Sequence, residues 1–289
     1  MDLTNINDIK QLLERHGFRF SKSLGQNFLI ASWVPEQIAE AAGLDEKTGV
    51  LEIGPGIGCL TEKLSERAGG VVAVELDETL RPVLGETLAG CENVSLVFGD
   101  ALKLNLRELT EEKLPGLRPV VCANLPYNVT TPLISSILRA ELFDTVTVMI
   151  QKEVAERICA RPGTADYGAF TLLVQRYAEP ELLFTVPPGC FIPQPKVTSA
   201  VVRMKRRTEP PAEILDDDML FRVIRAAFGM RRKTLTNALG TVSPRIGKAE
   251  IANILTDCGF APGIRGEVLS IGDFAKISNA FCVFLNRNL

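Results

Sequence analysis

The stretch Val50-Leu-Glu-Ile-Gly54-Pro-Gly56-Ile-Gly58-Cys-Leu60 decides the fold. A run of β-branched and aliphatic residues breaks into three alternating glycines and then resumes with helical apolar spacing. This is the signature of a strand, a tight turn and the entry to a helix. In open α/β sheets ligands sit outside the carboxyl ends of the strands at such a turn, where glycine lets the backbone approach them closely.

The pattern repeats downstream. Strand-like runs at Val71–Glu75, Val94–Phe98, Val120–Ala123 and Val146–Ile150 are separated by helical runs near Cys59–Arg67, Glu78–Ala89 and Pro132–Leu138. Short strands that are apolar on both faces and alternate with helices predict a parallel sheet covered on both sides, hence a doubly wound α/β domain. A helix near Gly168–Ala178 precedes two further strands, Leu182–Val186 and Val197–Met204, joined through the proline-rich turn 186–195. Upstream lies an arm with a short helix about Asp8–His16 and a basic, loop-like segment Phe20–Ile30; Ser32 is placed to N-cap a helix ending near Gly43. Beyond Lys205-Arg-Arg207 and Pro210-Pro211 no strand pattern recurs: Asp216–Phe228, Lys233–Leu239, Lys248–Cys258 and Ser270–Leu285 are helical in period, and Ser270-x-x-Asp273 opens the last with a capping box. The expected domains are an arm at 1–30, an α/β domain at 31–207 and a small, basic helical domain at 208–289.

Composition narrows the chemistry. The chain has 289 residues, 46% hydrophobic and 23% charged, which suits a core-forming globular protein. Its apolar runs fall well short of the ~20 residues that span a bilayer, and the polar N-terminus lacks a secretory h-region, so a soluble cytoplasmic protein is expected. Seven cysteines, at 59, 91, 122, 159, 190, 258 and 282, never form C-x-x-C, which argues against a disulfide framework or a zinc cluster. With His16 as the single histidine, catalysis has to proceed without imidazole, and no metal is expected. The net charge of −3 conceals an asymmetry: residues 201–289 carry 14 Lys and Arg against 9 Asp and Glu. A basic C-terminal part fits a polyanion partner.

Candidate ligand-binding residues follow the strand ends. Beside Gly54, Gly56 and Gly58, Glu75 ends the second strand, placed to accept hydrogen bonds from a ribose diol. Asp100 and Ala101 follow the third strand, where a carboxylate accepts from an adenine amino group. The dinucleotide pattern G-x-G-x-x-G fails at Cys59, and no G-x-x-x-x-G-K-[ST] loop exists. A nucleoside cofactor without a pyrophosphate is the better reading, with S-adenosylmethionine the candidate.

Asn124-Leu125-Pro126-Tyr127 ends the fourth strand. An adenine N6 amine is a poor nucleophile because its lone pair is delocalised into the ring. The Asn124 side-chain oxygen and a backbone carbonyl near Leu125 or Pro126 are suited to accept its two N–H bonds and to stabilise charge developing on nitrogen. Pro126 fixes φ and presents these acceptors rigidly, and Tyr127 is placed to stack on an extruded base. The loop Phe191-Ile-Pro-Gln-Pro-Lys-Val-Thr-Ser199 offers Phe191 as the other wall of a base sandwich. Cationic side chains expected at phosphates are Lys22, Lys196, Arg203, Lys205, Arg206, Arg207, Arg231, Arg232 and Lys233.

These motifs together resemble the ribosomal RNA adenine dimethyltransferases that modify small-subunit rRNA. The resemblance runs from Ser23-Leu-Gly-Gln-Asn-Phe-Leu29 through Glu52-Ile-Gly-Pro-Gly-x-Gly58, Val74-Glu-Leu-Asp77, Gly99-Asp100, Asn124–Tyr127, Gln151-Lys-Glu-Val-Ala155, Tyr167-Gly168 and Phe191–Ser199 to Phe228-x-x-Arg-Arg-Lys-Thr-Leu235. It departs slightly at Ala169-Phe170 and Met230, which leave the catalytic residues untouched. The resemblance implies a Rossmann-like S-adenosylmethionine-dependent methyltransferase domain with a small helical C-terminal domain. It further implies four methyl transfers, two to each of two adjacent adenines in a hairpin loop near the 3′ end of 16S rRNA, during assembly of the 30S particle. By position, Asn27 and Leu29 of the arm would join Gly54, Glu75, Asp100 and Asn124 around the cofactor. Monomer is the default state. Three rival readings are a large-subunit antibiotic-resistance methyltransferase, a DNA adenine methyltransferase, and a non-catalytic RNA-binding assembly or transcription factor that keeps the fold. The Phe228–Leu235 element favours the small-subunit enzyme over the first, and the intact Asn124–Tyr127 and Gly54–Gly58 motifs argue against the last.

Overall fold

The structure, a computed structural model, describes residues 1–20 and 25–287. Lys22 therefore lies outside the described residues. The chain divides into two compact units, 1–155 with 180–206, and 156–179 with 207–289.

The first unit is built on a seven-stranded sheet. Its strands are β2 (Thr48–Ile53), β3 (Gly70–Glu75), β4 (Val94–Phe98), β5 (Arg118–Asn124), β6 (Thr145–Gln151), β7 (Ala178–Val186) and β9 (Ser199–Arg206), arranged β4-β3-β2-β5-β6-β9-β7. β4, β3, β2, β5 and β6 run parallel, whereas β9 lies antiparallel to β6 with Thr147 opposite Arg203. Every residue of β2 and β3 is buried, as expected for central parallel strands. The order reverses between β2 and β5, so the turns after these neighbouring strands diverge and leave a crevice at their carboxyl ends. A separate ribbon pairs β1 (Phe28–Leu29) antiparallel with β8 (Phe191–Ile192), setting Leu29 opposite Phe191. It ties the N-terminal arm to the proline-rich loop.

Helix α1 (Ile6–Arg15) precedes the strands, and α2 (Trp33–Ala41), α3 (Cys59–Ser65), α4 (Arg81–Thr87), α5 (Leu106–Lys113), α6 (Thr130–Arg139) and α7 (Lys152–Ile158) follow in turn between them. α1 starts where the Asn5 side chain accepts from the Asn7 and Asp8 N–H groups, and it buries Ile9, Leu12 and Leu13 along one stripe. Those residues join the core formed by Val34, Ile38, Leu60, Leu64, Val71, Leu80 and Leu84. The expected arm is thus packed into the first unit. Two helices have no counterpart in the expected element series. α5 is mostly charged and buries only Leu106 and Thr110, and α7 follows β6 with no intervening turn residue.

The second unit holds α8 (Ala169–Tyr177), α9 (Asp217–Gly229), α10 (Leu235–Ala238), α11 (Lys248–Asp257) and α12 (Ile271–Arg287). It includes 156–179, a stretch expected to belong with the sheet. The reason is packing: Tyr167 is fully buried, donates from its hydroxyl to the Leu269 carbonyl at 2.7 Å, and meets Phe228 edge-on at 5.8 Å. Phe228 continues to Phe274 at 6.0 Å. The capping box at the start of α12 forms as expected: the Asp273 carboxylate accepts from the Ser270 N–H at 2.9 Å, and the Asp273 N–H donates to Ser270 Oγ at 3.2 Å. No helix among the described residues is long and apolar enough to cross a membrane.

Candidate active site

A cavity of about 220 Å³ opens at the carboxyl ends of β2, β3, β4 and β5, and residues 25–29 of the arm close one side of it. Leaving β2, the chain turns through Gly54, Gly56 and Gly58, at φ of +73°, +60° and +90°. At Gly56 a β-carbon would stand 3.1 Å from the Phe28 ring. At Gly58, the residue that precedes α3, it would meet Leu88 Cδ2 at 2.9 Å. Gly54 and Gly56 line the cavity, whereas Gly58 does not and instead serves the close packing of α3 on Leu88.

Glu75 is buried at the end of β3 and faces this turn. Its Oε2 accepts from the Gly56 N–H at 3.2 Å and its Oε1 from the Asp77 N–H at 2.8 Å. Burial pushes its pKa above the ordinary glutamate range, and the backbone N–H donors oppose that shift. Asp100 and Ala101 form the neighbouring wall after β4, together with Leu102. The Asp100 Oδ1 accepts from the Leu102 N–H at 3.0 Å, leaving the carboxylate half-exposed at the cavity edge.

The Asn124–Tyr127 segment adjoins the glycine turn. A β-carbon on Gly54 would lie 3.7 Å from the Pro126 ring, so the two motifs form adjacent walls of the same cavity. The Leu125 N–H donates to the Met149 carbonyl at 3.1 Å, continuing the β5–β6 ladder by one bond. The Pro126 carbonyl is occupied, accepting from the Val129 N–H at 3.3 Å and from Thr130 Oγ1 at 3.0 Å. Among the described residues no donor reaches the Leu125 carbonyl or the Asn124 side chain. Of the two carbonyls expected to serve an amine, the free one is that of Leu125. Tyr127 is anchored, its hydroxyl 2.6 Å from Ser199 Oγ at the start of β9.

Phe191 departs from its expected place. It is 2% exposed, belongs to the hydrophobic core and does not line the cavity, because its strand pairs with β1 and buries the ring. Asn27 and Leu29 do line the cavity, with the Asn27 amide donating to the Gly25 carbonyl at 2.9 Å.

A family model described as ribosomal RNA adenine dimethylase matches residues 17–280. The chain belongs to this family. It is 46% identical over 290 residues to the ribosomal RNA small subunit methyltransferase A of Geobacillus kaustophilus, covering 99% of each chain. It is 45% identical over 271 residues to the protein of that name from Alkaliphilus oremlandii, covering 93% of this chain and 94% of the relative. Among solved structures, the 23S rRNA methyltransferase ErmE superposes with a TM-score of 0.67 at 27% identity, over 88% of this chain and 99% of that one. A dimethyladenosine transferase from Plasmodium falciparum shares the fold, with a TM-score of 0.74 at 24% identity over 90% and 98% of the two chains.

The cofactor of the dimethylase family is S-adenosylmethionine, and the cavity suits it. Two carboxylates at adjacent strand ends match a ribose diol and an adenine amine, the glycine turn leaves no side chain in the way, and Leu76, Ala101 and Leu102 offer apolar surface to a base. Of the three carboxylates that line the cavity among the described residues, one was not singled out by sequence as a site residue. Glu52 is 1% exposed beneath the glycine turn, and its Oε2 has no hydrogen-bond partner among the described residues. Burial lifts its pKa to about 8, and the nearby Glu75 adds to the rise, while the Thr61 side chain works against it. The signal was present in the Glu52-Ile-Gly motif, but an acid inside a strand reads as one more strand residue until its burial is known.

The basic residues of this dimethylase-family chain fall into two groups. Arg203 pairs with Glu181 at 2.7 Å, Arg206 with Asp144 at 2.8 Å and Arg207 with Glu179 at 2.7 Å. Arg231 spends its guanidinium on Glu267 at 2.8 Å and on the Ala165 and Thr164 carbonyls at 2.8 and 3.0 Å. Lys196, Lys205, Arg232 and Lys233 are exposed and enter no ion pair among the described residues. His16 sits beyond α1 with Nε2 2.6 Å from Glu86 Oε2, and it is not among the residues lining the cavity.

Proposed function

We propose that the chain transfers methyl groups to N6 of two adjacent adenines in a hairpin loop near the 3′ end of small-subunit rRNA, giving dimethyladenosines during assembly of the 30S particle. When bound, S-adenosylmethionine supplies an electrophilic methyl group on a positively charged sulfur. Every other part of the reaction falls to the protein. The observation that carries this reading is the contact between the two motifs: Pro126 lies against Gly54, so two unused amine acceptors stand beside the cofactor cavity.

In this reading Glu75 holds the ribose, Asp100 and Ala101 hold the adenine, and Gly54, Gly56, Asn27 and Leu29 shape the cofactor site. The Asn124 side-chain oxygen and the Leu125 carbonyl accept the two N–H bonds of the target amine, turning its lone pair towards the methyl and stabilising positive charge on nitrogen. Pro126 keeps the Leu125 carbonyl in place, and Tyr127 stacks on the base with its ring held by Ser199. The cationic product amine loses its proton to water, so no raised or lowered base is needed.

Of the cationic side chains singled out by sequence, Lys196, Lys205, Arg232 and Lys233 enter no ion pair among the described residues and meet the RNA phosphates, with the helical unit as the RNA-binding part. The protein acts in the cytoplasm as a monomer. An RNA-binding factor without catalysis would have no use for paired amine acceptors at a cofactor cavity. The test is Asn124→Ala assayed for RNA binding and for methyl transfer. Binding should survive and transfer should fall by about a hundredfold, the usual loss of one such acceptor; unchanged turnover removes Asn124 from the mechanism.

A further inference from the structure

We propose that Asp77 is a positioning residue that clasps the N-terminal arm across the cofactor cavity and, in the same act, fixes the carboxylate of Glu75. Asp77 is not among the residues lining the cavity, so it works through its neighbours. Its Oδ2 accepts from the Gln26 amide at 2.7 Å, a bond that spans 51 residues of sequence. Its own N–H donates to Glu75 Oε1 at 2.8 Å, and Glu75 Oε2 in turn takes the Gly56 N–H at 3.2 Å. The remaining oxygen, Oδ1, accepts from the Thr79 N–H at 3.0 Å and the Thr79 hydroxyl at 2.6 Å, which locks the side chain in one orientation.

The chain of bonds therefore runs from Gln26 through Asp77 and Glu75 to Gly56, and three of these four residues line the cavity. An amide donating to a carboxylate is a charge-assisted bond, stronger than a neutral pair. Beyond Gln26 the arm is held by the two-residue ribbon of β1 and β8, so the Gln26–Asp77 bond adds an anchor on the side of the cavity formed by β3. Releasing the arm removes one restraint on Asp77, and with it one on the Glu75 carboxylate. Cofactor entry and product release then share a step with the ordering of the ribose acceptor.

The inference rests on the proposed cofactor site, and the experiment separates the two. Hydrogen exchange of residues 25–30 is measured without cofactor in the wild type, Gln26→Ala and Gln26→Glu, the last setting two carboxylates against each other where the amide donated. Faster exchange in both variants, at unchanged thermal midpoint, is expected; wild-type protection in both overturns the clasp whatever the cofactor is. S-adenosylmethionine affinity is then measured calorimetrically in Gln26→Glu, Asp77→Asn and the double variant. Gln26→Glu opposes two carboxylates and should weaken binding by about tenfold, a size typical of coupled neighbours. The double variant rebuilds the bond with donor and acceptor exchanged and should recover most of that loss, whereas simply additive losses overturn the proposal. Failure of the wild type to bind S-adenosylmethionine would instead remove the cofactor reading and leave the exchange result to decide the clasp.

Discussion

The Tyr127 hydroxyl lies 2.6 Å from Ser199 Oγ, joining the segment after β5 to the first residue of β9 across 72 residues of sequence. Ser199 is fully buried, so the hydroxyl end of the tyrosine is anchored to a fixed point of the sheet. The two motifs that sequence marks as separate candidates for holding a base are thereby one assembly.

Ser199→Ala should lower the turnover number several-fold while leaving S-adenosylmethionine affinity unchanged. The deletion leaves the tyrosine hydroxyl short of a partner, at a cost of about 1–3 kcal/mol in stability. Steady-state kinetics beside calorimetric binding separates the two effects. An affinity loss equal to the loss of turnover would place Ser199 in the cofactor site instead.

Gly56→Ala introduces a β-carbon 3.1 Å from the Phe28 ring at a φ of +60°. Left-handed backbone costs an alanine about 1–2 kcal/mol, and the ring has to yield as well. Cofactor affinity should fall by about tenfold or more, since 1.4 kcal/mol is a factor of ten. Titration with S-adenosylmethionine checks this, and wild-type affinity would show that the turn tolerates a side chain.

Glu52 makes stability depend on pH. Its pKa rises from the usual 4.5 to about 8 in the fold, so the folded chain holds this proton more tightly than the unfolded chain. The contribution is complete below pH 4.5 and is lost as pH rises towards 8. Glu52→Gln stays neutral throughout. The thermal midpoint of the wild type should therefore fall more between pH 5 and pH 8.5 than that of the variant; parallel curves would mean that Glu52 ionises normally.

Arg231 and its neighbours should separate cleanly. Arg231→Ala breaks an ion pair and two carbonyl contacts inside the second unit and should chiefly lower the thermal midpoint. Replacing Arg232 and Lys233 together should spare stability, weaken RNA binding and flatten the salt dependence by about 0.7–0.9 in slope for each lost phosphate contact. An unaltered slope would make these two residues an ordinary solvated surface.

The parts of this protein legible in sequence are those written locally. β2, its glycine turn and the strand ends at Glu75, Asp100 and Asn124 are each marked by residue types within a few positions, because strand burial and turn conformation are short-range demands. Phe191, the free Leu125 carbonyl and the occupied Arg231 guanidinium were not legible in the same way. Two of these depend on a partner far along the chain, Leu29 opposite Phe191 and Glu267 at Arg231; the third depends on how α6 begins, with Thr130 capturing the Pro126 carbonyl and leaving that of Leu125 free. Helix α5 was hidden for another reason. With two buried side chains it carries almost no apolar period to read.

The most direct test of the account is methyl transfer from labelled S-adenosylmethionine to undermethylated small ribosomal subunits, followed by nucleoside analysis and mapping of the product. The expected product is dimethyladenosine at two adjacent positions near the 3′ end of the small-subunit rRNA. Intact cofactor binding with no dimethyladenosine at those positions would contradict it.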